Sequence, residues 1–115
     1  MNDCLFCQIV EGKIPAKKVF ESEDILALWD INPVAPVHIL IIPKKHIENL
    51  FDAKEEDVVT LGHLLMAAKE VAVSQGLLSS GFRLVINNGK GAGQLIPHLH
   101  AHVIGGKKLG PKIIA

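Results

Sequence analysis

Three histidines alternate in the segment His98-Leu99-His100-Ala101-His102. On a strand, alternate side chains share one face, so the three rings would line up while Leu99 and Ala101 turn to the other side. A neutral imidazole has its unperturbed pKa near neutrality and is a competent nucleophile toward phosphorus, giving a covalent nucleotidyl intermediate. That chemistry needs one ring nitrogen tied to a carbonyl so that the other is a free lone pair. It also needs hydrogen-bond donors around the phosphoryl oxygens. The competing chemistry is a metal site built from strand histidines. Packing alone is a poor reason for such a triple, because each buried ring must find a polar partner.

Two further features carry chemistry. Asn88-Gly89-Lys90-Gly91-Ala92-Gly93-Gln94 leads into the histidines, and its glycines let backbone N–H groups approach a phosphate. It is neither a Walker A loop nor a dinucleotide fingerprint, since it precedes a strand and lacks Gly-Lys-Ser/Thr. Cys4 and Cys7 form a Cys-x-x-Cys pair. Three readings stand: half of a zinc site, a redox pair, or two small buried residues. A redox pair would want a thioredoxin-like strand and helix around it, and the neighbouring sequence does not follow that plan.

The elements that must hold these groups can be read from pattern. The 115 residues suit one domain, residues 1–115, and the 49% hydrophobic content suffices for a core. Twelve basic and twelve acidic side chains cancel, so no broad positive field exists to hold a nucleic acid. No apolar run reaches the roughly 20 residues of a membrane span, and no signal peptide opens the chain, so a cytoplasmic location without a structural disulfide is expected. Residues 3–11 read as a short helix or turn. Lys18 to Glu21 and Ile25 to Trp29 read as strands joined at Ser22-Glu23-Asp24, and Val37 to Ile42 as a covered central strand. Asp52 with Glu55 resembles a capping box. Val58, Leu61, Leu65, Ala68 and Ala72, widened by Leu64 and Val71, form an amphipathic helical stripe that ends at Gly76. Phe82 to Asn88 and Leu99 to Ile104 complete the strands. This order predicts an α+β domain with a mainly antiparallel sheet.

The segment His98 to Ile104 resembles the His-x-His-x-His-x-x signature of the histidine triad family. The likeness extends through Lys13 to Ala16, Asp30 to Pro33, Ala35 to Ile47, Leu61 to Leu64, Asn87 to Gln94 and Gly105-Gly106, and is similar to the Hint branch. The resemblance implies a five-stranded antiparallel sheet with one long helix and a short N-terminal helix, in homodimers whose sheets join. It implies hydrolysis of purine nucleoside phosphoramidates and related nucleotidyl conjugates, with no cofactor required for catalysis.

Carried onto this chain, the resemblance makes His100 the nucleophile and His102 a phosphate contact. His38 belongs to the hydrogen-bond network of the site. Asp30 would bind the ribose hydroxyls, with Ile31 beside the base. Leu5, Phe6, Ile9 and Leu28 would form the base pocket, and Asn87, Gly93 and Gln94 the phosphate and ribose loop. Relatives with a Cys pair imply a structural zinc site from Cys4, Cys7, His46 and His98, separate from catalysis. Leu95 departs from the pattern, standing where eukaryotic Hint proteins have a serine. The tail Lys107 to Ala115 lacks the tryptophan of the animal proteins. His63, on the helix, reads as structural or dimer-related. The alternative function is a nucleotide-binding or partner-binding module with little turnover.

Overall fold

A computed structural model describes residues 3–111 and Ile113, so the last positions of the tail, 112, 114 and 115, lie outside the described residues. The order of elements is helix α1 (Leu5–Val10), strands β1 (Lys18–Glu21), β2 (Ile25–Trp29) and β3 (Val37–Pro43), helix α2 (Val58–Ser74), and strands β4 (Arg83–Ile86) and β5 (Ala101–Gly105). Among the described residues the strands form one antiparallel sheet in the order β1-β2-β3-β5-β4. The expected α+β architecture is therefore the one observed.

The period-2 alternation of the central strands divides the apolar residues between two cores. Ile25 and Ala27 of β2, Ile39 and Ile41 of β3, and Ala101 and Val103 of β5 face α2. Leu26, Leu28, Leu40 and Ile42 face the other way and pack under α1 with Phe6, Cys7 and Ile9. The second face carries the chemistry. α1 is short, and the Cys4 thiol caps it by accepting the Cys7 N–H at 3.4 Å.

Several boundaries differ from the sequence expectation. The cap before the long helix is not Asp52 with Glu55. Asp57 stands at the start of the helix, where its side chain closes the preceding turn by accepting the Lys54 N–H at 2.9 Å and pairs with Lys45 at 2.7 Å. Lys45 and the Lys54 N–H together hold the Asp57 carboxyl below its ordinary range. The helix buries Leu64, Ala67, Ala68, Val71 and Ala72, while Val58 and Leu65 are 58% and 55% exposed. Leu64, Ala68, Val71 and Ala72 of the expected stripe are buried and Ala67 joins them, so its centre is offset away from Val58 and Leu65. The alanines at 67, 68 and 72 let the helix approach the sheet closely, and that contact selects the face. β4 is shorter than Phe82 to Asn88, and β5 begins at Ala101, so His98 and His100 lie in the extended approach to the strand. His63 is structural: its Nδ1 lies 2.6 Å from Asp24 Oδ2, tying α2 to the β1–β2 turn.

Candidate active site and metal cluster

Sheet register brings the first two histidines together. His38 of β3 pairs with Ile104 of β5, and His102 pairs with Leu40. His38 and His102 are therefore diagonal neighbours on one face, within reach of each other's rings. His38 Nε2 lies 2.9 Å from His102 Nδ1 and 3.3 Å from Asp30 Oδ2. Asp30 sits just past β2, where its N–H prolongs the pairing to the His38 carbonyl at 3.0 Å. Its Oδ1 accepts the Asn32 N–H at 2.7 Å, which orients the carboxylate. The N–H of Val34 reaches His38 Nδ1 at 3.1 Å.

The approach to β5 orients the other two. His100 Nδ1 donates to the His98 carbonyl at 2.7 Å. A neutral ring protonated at Nδ1 keeps its lone pair on Nε2. Phe6 packs edge-on against both His98 and His100, with centroids 5.8 and 5.1 Å away. Burial lowers the pKa of His100, opposed by its bond to the His98 carbonyl and by the charge of Asp30. Burial also pushes His102 down to about 4, aided by repulsion from a positive His100 or His38. Both rings are thus held neutral near pH 7, the state a nucleophilic imidazole requires.

A cavity of about 630 Å³ opens beside these rings. Leu5, Phe6, Ile9, Leu28, Asp30, Ile31, Asn87, Gly93, His100 and His102 all border it. Most residues proposed from the sequence therefore converge on one space. His38 stands behind His102, outside the lining. Gln94 stands outside the lining, where its side chain holds the loop. It is buried, it accepts the Gly89 N–H at 2.8 Å, and its amide donates to the carbonyls of Glu48 at 2.6 Å and Ile96 at 3.0 Å. Those bonds satisfy both ends of the side-chain amide. They also fold the loop sharply enough that Gly89 and Gly93 take φ of 93° and 88°, backbone that other residues resist. Leu95 borders the cavity and is 91% exposed. Sequence reasoning missed Val34, whose part is played by a main-chain N–H. It also missed Trp29, Leu40 and Ile96 in the lining. Leu40 could have been found from strand parity with Leu28.

A separate cluster lies on the far side of His98. The ligand atoms of Cys4, Cys7, His46 and His98 fall within 4.8 Å of one another. His98 Nδ1 is 3.2 Å from Cys4 Sγ, 3.4 Å from Cys7 Sγ and 3.2 Å from His46 Nδ1, and Cys7 Sγ is 3.2 Å from His46 Nδ1. Zinc bonds of about 2.0 Å to nitrogen and 2.3 Å to sulfur give tetrahedral edges of roughly 3.3–3.8 Å, close to these separations. His98 is fully buried, and its Nε2 donates to the Pro43 carbonyl at 2.7 Å, leaving Nδ1 as the lone pair that faces the thiols. The donor set and its geometry fit a four-coordinate zinc ion. His98 thus leaves the catalytic face that simple strand alternation would assign to it.

A family model described as the HIT domain matches residues 11–109. The chain belongs to the HIT domain family. An uncharacterised HIT-like protein of Synechocystis is 50% identical over 106 residues, covering 92% of each chain. A HIT family hydrolase of Clostridium thermocellum is similar in structure, with a TM-score of 0.96 at 43% identity and 99% coverage of both chains. A histidine triad nucleotide-binding protein of Candida albicans gives a TM-score of 0.86 at 32% identity, covering 98% of this chain and 84% of that one. In this HIT domain, the histidine motif supplies three rings to three settings: a metal-type cluster, the cavity floor, and a pair with His38.

Proposed function

We propose that this HIT protein hydrolyses the P–N bond, and related nucleotidyl bonds, of purine nucleoside 5′-monophosphate conjugates through a covalent intermediate on His100. The observation that carries this is the 2.7 Å bond from His100 Nδ1 to the His98 carbonyl, in a ring that borders the cavity and is kept neutral by burial. Related solved structures named as hydrolases and as a nucleotide-binding protein support the class of reaction and ligand.

In this reading the base enters the apolar part of the cavity, against Leu5, Phe6, Ile9 and Leu28, with Ile31 at its edge. Asp30 accepts the ribose hydroxyls through the lone pairs left by Asn32 and His38. Asn87 and the backbone at Gly93 flank the phosphate. His100 Nε2 attacks phosphorus, an N–P bond forms, and the P–N bond to the amine breaks as the amine leaves with a proton taken from solvent, which the water of the second step returns. Water then attacks the same phosphorus, the histidine–phosphorus bond breaks, and the nucleoside monophosphate is released. His102 donates to a phosphoryl oxygen as charge grows there.

The structural companion to this site is zinc held by Cys4, Cys7, His46 and His98. Zinc there would cross-link α1 to the segment entering β5 and so fix the base pocket against the nucleophile; no step of the reaction uses it. A homodimer is proposed from the exposed apolar side chains of α2, Leu65, Met66 and Val73, together with the edge strand β4. The proposed location is the cytoplasm.

The test is turnover of adenosine 5′-monophosphoramidate by the wild type and by His100→Ala. Release of ammonia and AMP by the wild type, abolished in the variant, supports the reading. Tight nucleotide binding with negligible turnover in the wild type would replace it with a binding module.

A further inference from the structure

We infer that the main-chain N–H of Val34 sets the tautomer of His38 and, through it, that of His102, so that His102 meets the substrate phosphate as a neutral Nε2–H donor. The inference rests on the proposed hydrolase reading for its catalytic meaning, but its structural content stands apart from it.

The argument runs from a group that has no choice. A backbone N–H can only donate, and a neutral imidazole has one donor nitrogen and one acceptor nitrogen. The Val34 N–H points at His38 Nδ1 from 3.1 Å. His38 Nδ1 is therefore the acceptor, and its proton sits on Nε2. That nitrogen lies 2.9 Å from His102 Nδ1 and 3.3 Å from Asp30 Oδ2. The carboxylate can only accept. His102 Nδ1, at the shorter distance, accepts as well, which puts the proton of His102 on Nε2. His102 borders the cavity, so the nitrogen left to meet a phosphoryl oxygen carries hydrogen. The opposite tautomer would aim a lone pair at that oxygen, losing a donor and adding repulsion where charge develops.

The same logic separates two histidine clusters that look alike by distance. Asp30, His38 and His102 bring ligand atoms within 4.8 Å of one another, as the cysteine cluster does. A metal on His38 Nε2 would force the proton onto Nδ1, against the Val34 N–H. At His98 the backbone acts the other way: the Pro43 carbonyl takes the Nε2 proton and leaves Nδ1 free toward Cys4 and Cys7. One backbone donor thus makes a chain of hydrogen-bond donors where one backbone acceptor makes a ligand. The Val34 side chain is 61% exposed, so this residue acts through its main chain. Asn32, in the same turn, orients Asp30, so one short segment positions both the carboxylate and the histidine pair.

The experiment is nitrogen NMR of the full-length protein labelled with ¹⁵N. Expected are pyridine-like Nδ1 and pyrrole-like Nε2 signals at both His38 and His102, with ¹⁵N–¹⁵N couplings through the hydrogen bonds from Val34 to His38 Nδ1 and from His38 Nε2 to His102 Nδ1. A pyrrole-like Nδ1 at either residue overturns the inference, whatever the enzyme turns over. Val34→Pro removes the donor, and is expected to mix the tautomers at both rings. It should lower kcat about tenfold while KM stays within about twofold. Val34→Ala keeps the N–H and should keep the wild-type nitrogen signature. Unmixed signals or undiminished kcat in Val34→Pro also overturn the inference. If Val34→Pro does not fold, the wild-type spectrum still decides. If the wild type shows no turnover, the hydrolase reading falls and the spectrum alone judges the tautomers.

Discussion

The ring of His100 is fixed by the carbonyl of His98, 2.7 Å from its Nδ1 and two residues back along the same chain. The orientation of His100 therefore depends on how His98 is anchored, and His98 is anchored from its other end by Pro43 and by its place beside the cysteines. A single main-chain oxygen thus links the Cys4, Cys7, His46, His98 cluster to the ring proposed as the nucleophile.

His100→Ala is expected to retain the fold and lose activity by at least roughly a thousandfold, since a missing nucleophile cannot be replaced by positioning alone. A circular dichroism spectrum like that of the wild type, with no ammonia release, is the expected pair of results. Residual activity within tenfold of the wild type would remove His100 from the role of nucleophile.

Cys4→Ser and His46→Ala should each lower the zinc content of purified protein from about one ion per chain to well below half. Because the cluster also holds His98, both variants should lose Tm and activity together. Chelation of the wild type should have the same effect. Wild-type protein that carries no zinc, or a Cys4→Ser variant with unchanged metal content, would refute the structural zinc site.

Acid should destabilise the protein earlier than its carboxylates alone would dictate. His102 titrates near 6.5 in the unfolded chain and at about 4 when folded, because burial disfavours its charged form. Between those values the unfolded state binds a proton that the folded state refuses. The stabilisation is complete above pH 6.5, declines as the pH falls, and levels off below about 4. His98 and His100, also lowered by burial, act in the same direction. Thermal melts from pH 7.5 to 4.5 should show a falling Tm, with a shallower slope in His102→Asn. A flat profile over that window would contradict the buried, neutral ring.

The offset of the α2 stripe gives a paired test. Leu64 is 1% exposed in the core, so Leu64→Ala should cost about 2–5 kcal/mol of stability. The neighbouring Leu65→Ala should leave the monomer's stability nearly unchanged and weaken self-association, measured by sedimentation at micromolar concentration. The reverse pattern would place Leu65 and not Leu64 against the sheet.

Leu95 offers a test of substrate handling. Leu95→Ser restores a hydroxyl at the cavity's rim and should raise kcat by roughly threefold to tenfold, the scale of one added hydrogen bond. No change would mean that the hydroxyl does not reach the phosphate in this HIT domain.

The sequence by itself determined the family, the antiparallel sheet and the identity of the groups that meet in the cavity. It did so because strand parity is local: Leu26 and Leu28 had to face away from Ile25 and Ala27, and His102 had to leave the core that Val103 enters. The Cys4, Cys7, His46, His98 set was legible only by resemblance, since its members are spread over most of the chain. Tertiary structure alone decided three matters. Leu64 and not Leu65 faces the sheet, because only contact with the strands chooses among the faces of a broadly apolar helix. Gln94 braces its loop, because the carbonyls of Glu48 and Ile96 converge on its amide. The proton-bearing nitrogen of each triad ring follows from the carbonyls of Pro43 and His98 and the N–H of Val34, main-chain groups whose directions leave no mark on the histidine spacing.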